Sequence, residues 1–131
     1  MTAESLDDLL NGHCQEYPKG TPTLAGDVVE HLLALVPGWE LVGANERSVS
    51  RAHPPANSNG QALRFTRRMA DFVTAVDAVN KVAAVAEEEQ HHPDIRIYGY
   101  RNLELDLSTH SIGGLSLNDF IMAAKINRAL P

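Results

Sequence analysis

The sequence predicts an α+β domain in which an antiparallel sheet, wet on one face, carries helices on the other. Three observations lead there. Residues 102–108 alternate, with Leu103, Leu105 and Leu107 on one side and Asn102, Glu104 and Asp106 on the other, the period of a half-buried strand. Residues 70–90 repeat apolar side chains in steps of four and three, the period of an amphipathic helix. The elements run helix, strands, long helix, two strands, helix, an order that suits helices layered on one antiparallel sheet.

The chain has 131 residues, 44% hydrophobic and 21% charged, which fits one globular domain able to bury a core without staples. Its net charge is −6. An acidic balance argues against a general nucleic-acid or anionic-membrane binder, because both attract basic surfaces. Arg64, Arg67 and Arg68 form only a small basic patch. The single cysteine, Cys14, permits no intramolecular disulfide and fits a reducing compartment. The opening M-T-A-E-S-L-D-D-L-L carries acids where a secretory signal needs a basic end and an apolar run. The run L-L-A-L-V at 32–36 is too short to span a bilayer. A cytoplasmic protein is expected.

Residues 1–22 read as an N-terminal extension to a domain over 23–131. A short helical turn fits Ser5–Leu10, before Pro18, Gly20 and Pro22 interrupt regular structure. Val28, Leu32, Leu35 and Val36 predict a helix from about Leu24, stopped by Pro37-Gly38. A short strand follows over Trp39–Ala44, and another fits 47–53 before Pro54-Pro55. Asn57-Ser58-Asn59-Gly60 reads as a turn. Gln61–Met69 alternates, with Leu63, Phe65, Arg67 and Met69 on one side, the arginine marking the edge of the buried face. The long helix then spans Ala70–Gln90, with Asp71 at its start and a stripe of Phe72, Val76, Val79, Ala83 and Ala86. Strands over 95–99 and 102–108, a Gly113-Gly114 turn, and a last helix to Ala129 complete the chain. That helix opens with a capping box, Ser116 and Asp119.

The chemistry concentrates in E-E-E-Q-H-H-P at 87–93 and in His110. Singly, each histidine has an ordinary explanation: His91 at the negative end of a helix dipole, His110 as a polar strand end. His13, His31 and His53 have no persuasive sequence neighbours. Together the others suggest a pocket. Glu87 and His91 share a helix face if the helix reaches them, Pro93 ends it, and His110 closes the cleanest strand. Helix and strand ends are where pockets form in layered folds, and histidine suits reversible proton transfer near neutral pH. A structural zinc would want four ligands, yet the lone cysteine is far away and no H-E-x-x-H occurs. No G-x-S-x-G or phosphate-binding glycine loop is present.

Glu87-x-x-x-His91-His92-Pro93, followed by Tyr100, His110 and Asp119, resembles the signature of the pterin-4a-carbinolamine dehydratases. L-S-T-H at 107–110, G-G-L at 113–115 and P-G-W at 37–39 also look like that family. The resemblance covers about residues 23–128. It implies a four-stranded antiparallel sheet with three helices packed on one face, and homo-oligomers, dimers or tetramers. It implies dehydration of 4a-hydroxytetrahydropterin to quinonoid dihydropterin without a metal or organic cofactor. His91, His92 and His110 would be the catalytic acid and base groups, Glu87 and Asp119 their supporting carboxylates, and Pro93, Ser108 and Thr109 substrate-binding residues. Gln90 departs from the acid many members carry there. The stretch from Pro93 to Tyr100 is the longer variant, and Pro54–Gly60 is an insertion. The tail S-I-G-G-L-S-L-N-D-F-I-M-A-A-K-I-N, 111–127, is similar to a branch that assists RuBisCO assembly in chloroplasts and beside α-carboxysome genes. That branch implies a chaperone with the RuBisCO large subunit as partner. Phe120, Ile121 and Ala124 fit a packing helix equally.

Overall fold

The computed structural model describes residues 5–43 and 59–131. The strand expected over 47–53, and Asn57 and Ser58 of the expected turn, lie outside them. In chain order the elements are α1 (Leu6–Asn11), α2 (Gly26–Leu33), β1 (Trp39–Val42), β2 (Ala62–Arg68), α3 (Phe72–Glu89), β3 (Asp94–Tyr98), β4 (Asn102–Leu107) and α4 (Leu117–Ala129). The four strands form one sheet in the order β1-β2-β4-β3, with every neighbouring pair antiparallel. The expected four-stranded α+β architecture is therefore present, with α1 as a short additional helix.

β4 runs centrally because it carries the densest alternation. Its Leu103, Leu105 and Leu107 pair in register with Arg67, Phe65 and Leu63 of β2, and all three leucines are fully buried. They join Leu32, Val82, Phe120, Met122 and Ile126 from the helices, and Val36 just after α2, in one core. Each such side chain contributes roughly 1.5–3 kcal/mol by leaving water. Trp39 packs on Phe65 with ring centroids 5.3 Å apart, and its indole N–H donates to Asn127 Oδ1 at 2.9 Å. Arg67 lies at the rim of that face, over the Phe65 ring at 4.9 Å and donating to the Leu130 carbonyl at 3.0 Å.

Three sequence expectations are corrected. Glu104 and Asp106, expected to be wet, are buried. Arg64 stands opposite Asp106 in register and grips it through two N–H donors at 2.8 and 3.0 Å, while Arg64 and Arg96 flank Glu104 at 3.7 and 3.8 Å. Long arginine stems thus cover the acids of the central strand. Second, α3 buries Ala75, Ala78, Val82, Ala86 and Glu89, whereas Ala83 and Phe72 of the expected stripe are exposed. The expected stripe holds in part, since Ala86 is buried and Val79 packs against the core, but the inner face is made mostly of small residues. Third, α2 spans Gly26–Leu33, starting two residues later and ending three earlier than expected; ahead of it the Leu24 N–H donates to the Leu115 carbonyl at 3.0 Å.

The segment before residue 22 contributes to the core. Ser5 and Asp8 form a reciprocal capping box on α1, Leu9 is fully buried, and α1 packs against α4. No helix among the described residues is long and apolar enough to cross a membrane.

Candidate active site

The histidine pair is placed by the way α3 ends. Gln90 adopts the left-handed conformation, φ 53°, and the His91 N–H reaches back to the Ala86 carbonyl at 3.2 Å, the long bond of a Schellman-type cap. The helix therefore stops at Glu89, and the chain reverses before Pro93. That reversal alters the pairing expected from helical spacing. Glu87 meets His92, with Oε2 2.5 Å from Nε2, on the exposed side. His91 turns inward, and its Nε2 lies 2.8 Å from Asp119 Oδ1.

Asp119 is fully buried and fully engaged. As third residue of α4 its Oδ2 accepts the Ser116 N–H at 3.0 Å, the return bond of the expected capping box. The same oxygen accepts from Thr109 Oγ1 at 2.9 Å. Thr109 and Ser116 hydroxyls are 2.6 Å apart. Thr109 has one hydroxyl proton, already directed at the carboxylate, so Ser116 donates to Thr109. The Ser116 oxygen in turn accepts the Asn118 N–H at 3.2 Å. This chain holds the carboxylate rigid and leaves one oxygen for the imidazole. A histidine bonded so through Nε2 has its tautomer and ring plane set, with Nδ1 as its remaining nitrogen.

His91, Thr109 and Asn118 of this network border a cleft of about 580 Å³, mid-range for small-molecule sites. His91 and His92 enter from the end of α3, and Ser108, Thr109, His110 and Ser111 from the end of β4. The isolated bridge between Thr109 and Gly114 holds the β4 end in place. The N-terminal segment adds Cys14, Gln15, Glu16 and Tyr17, joined by Glu89, Gln90 and Asn118. Glu89 is buried and accepts from Lys125 Nζ at 2.7 Å and the Cys14 N–H at 2.8 Å, with His13 Nδ1 at 3.0 Å. Burial pushes its carboxyl up, but the hydrogen bonds from Lys125, Cys14 and His13 outweigh burial and bring it down to about 2. Burial, and after it the Glu89 charge, push the Cys14 thiol up to about 12, which keeps it a poor nucleophile at neutral pH. Among the described residues, no three or more His, Cys, Asp or Glu groups are arranged to hold a metal ion.

The family model for pterin 4 alpha carbinolamine dehydratase matches residues 22–129. The chain belongs to the pterin-4a-carbinolamine dehydratase family. A relative in Rubrobacter xylanophilus, carrying the name "Putative pterin-4-alpha-carbinolamine dehydratase", is 35% identical over 94% of this chain and 99% of its own. Arabidopsis thaliana "Pterin-4-alpha-carbinolamine dehydratase 2, mitochondrial" is 36% identical over 94% of this chain, which spans 59% of that protein. The crystal structure of a transcriptional coactivator/pterin dehydratase from Brucella melitensis superposes with a TM-score of 0.63, covering 83% of this chain and 99% of that one at 24% identity, a likeness of fold.

Within this dehydratase-family fold, His91, His92, His110, Ser108 and Thr109 share the cleft. Asp119 lies behind His91 and Glu87 beside His92, neither lining the cleft. Pro93 also lies outside the lining, directly after the pair. Sequence reasoning missed Glu89, Asn118 and the 14–17 segment. Glu89 had one available signal, a third carboxylate in E-E-E two residues before the histidine pair. The 14–17 segment had none, because its partners are 75 and 103 residues away.

Proposed function

We propose that this protein dehydrates 4a-hydroxytetrahydropterin to quinonoid dihydropterin, with His91, His92 and His110 as the acid and base groups. The supporting observation is the His91–Asp119 pair, its carboxylate fully buried and its imidazole lining a cleft that two further histidines also line. The reaction needs one proton delivered to the C4a hydroxyl and one removed from N5. The C4a–O bond breaks, water leaves, and the N5 electron pair closes the C4a=N5 double bond. Two carboxylate-oriented imidazoles and a third at the strand end supply a donor and an acceptor without covalent chemistry. Ser108 and Thr109 border the same cleft as ring-binding residues; Pro93 acts indirectly, by fixing the chain after the pair. The test is quinonoid product formation from freshly generated substrate, with His91→Ala and His110→Ala beside the wild type. A wild-type rate well above the spontaneous one, lost in both variants, supports the assignment. A wild type no faster than solvent rejects it.

Self-association belongs to the same reading. Phe72, Val73 and Tyr100 are 53%, 66% and 61% exposed, and a second copy of the chain is the expected cover for such apolar surface. The same residues favour the rival role, a RuBisCO assembly factor working through its surface. The tail that suggested that role is mostly core, since Phe120 through Ile126 are all buried, so capture of RuBisCO large subunit by the protein, lost on Phe72→Ser, is what would support it.

A further inference from the structure

Residues 14–17 precede the family match, which begins at residue 22, yet they form one wall of the cleft. Their backbone is fixed by two buried side chains. The Asn118 amide takes the Gln15 N–H at 3.0 Å and donates to the Gln15 carbonyl at 2.6 Å, as a neighbouring strand would. Glu89 accepts the N–H of the preceding residue, Cys14, at 2.8 Å, and is itself held by Lys125. Two consecutive residues are thus tied to α3 and α4 before any ligand arrives, and a wall ordered in advance costs little further entropy on binding.

This strap presents a carboxamide, a carboxylate and a phenol to the cleft: Gln15, Glu16 and Tyr17. The Gln15 amide donates to the Tyr17 hydroxyl at 3.2 Å, which leaves the phenol proton free to donate outward. None of these groups is used by the proton transfers proposed above. The cleft, about 580 Å³, also exceeds what a bare bicyclic ring needs. A pterin carries its substituent at C6, next to the reacting N5, so a ring set at the histidines directs that substituent along the rest of the cleft. We infer that the strap is the specificity wall for the ring substituent, with Gln15, Glu16 and Tyr17 hydrogen-bonding a short hydroxylated side chain. This rests on the dehydratase reading for the placement of the ring.

The test is equilibrium binding, which does not depend on turnover. Two stable probes are titrated by fluorescence: 6-methyl-7,8-dihydropterin, and a 7,8-dihydropterin bearing a dihydroxypropyl chain at C6. The wild type binds the hydroxylated probe about tenfold more tightly, the size expected when one or two hydrogen bonds are gained. Glu16→Ala combined with Tyr17→Phe, both outside the core, brings the ratio to within about twofold with the 6-methyl affinity unchanged. Equal wild-type affinities, or a preference that survives in the double variant, overturn the inference. A preference lost in the variant stands even if the wild type fails to accelerate dehydration, an outcome that rejects the catalytic reading alone. Failure to bind either probe overturns both.

Discussion

His91 and Asp119, 28 residues apart in sequence, meet through a 2.8 Å contact in which the carboxylate is fully buried and the imidazole borders the cleft. The carboxylate is also the return arm of the α4 capping box. One side chain therefore does two jobs, and they separate by substitution. Asp119→Asn keeps an oxygen for the Ser116 N–H and Thr109 hydroxyl but turns an N–H donor toward His91, forcing the opposite tautomer. The expected result is a kcat lower by about 100-fold with KM little changed and the fold intact. An unchanged kcat and pH–rate profile would show that His91 is oriented by something else.

The buried ion pair beneath the strap makes a second prediction. Lys125 Nζ lies 2.7 Å from Glu89 Oε2, with both side chains almost wholly out of solvent. Glu89→Ala strands a buried ammonium and is expected to destabilise the protein by about 3–5 kcal/mol. The double variant Glu89→Gln with Lys125→Met removes the stranded charge and recovers most of that loss. The deficit that remains, about 1 kcal/mol, is the weakened hold on Cys14. Urea midpoints at constant slope give these numbers. A single-variant loss below about 1 kcal/mol would mean that Lys125 reaches water when unpaired.

The same carboxylate sets an acid limit. Its folded value of about 2 lies below its ordinary 4.5, so the unfolded chain takes up the proton first. The stabilisation is complete above pH 4.5 and is lost as pH falls toward 2. The stability gap between wild type and Glu89→Gln should narrow over that window by up to about 3 kcal/mol, read from thermal melts at matched ionic strength. A gap that stays constant from pH 6 to pH 2 would show that Glu89 titrates alike in the folded and unfolded states.

How much of this was legible in the sequence follows from the range of each interaction. β4 was readable because alternation is local, and the Ser116–Asp119 box because its two arms are three residues apart. The histidines of the cleft were readable as a set, since a family signature records their shared site. The reversal at Gln90 was not. Nothing in E-E-E-Q-H-H-P says which residue leaves the helix, and that choice decides whether Glu87 meets His91 or His92. The alanine face of α3 was hidden because small residues announce close packing only when the opposite helix is known. The strap was hidden for the same reason at longer range: Glu89 and Asn118 recognise backbone groups, and backbone carries no sequence signal.

Gln90 is the last point of test. It sits at φ 53°, where a side chain costs about 1–2 kcal/mol relative to the right-handed region and glycine costs almost nothing. Its own side chain offsets part of that, donating to the Glu87 carbonyl at 2.6 Å. Gln90→Gly should therefore leave stability within about 1 kcal/mol of wild type in either direction. Gln90→Val, β-branched and without the hydrogen bond, should lose about 2 kcal/mol or more. Because the reversal aims both histidines, the valine variant should also lose dehydratase activity beyond what its unfolded fraction explains, whereas the glycine variant should keep it. Activity that tracks the folded fraction alone in Gln90→Val would show that the cap closes the helix without setting the site.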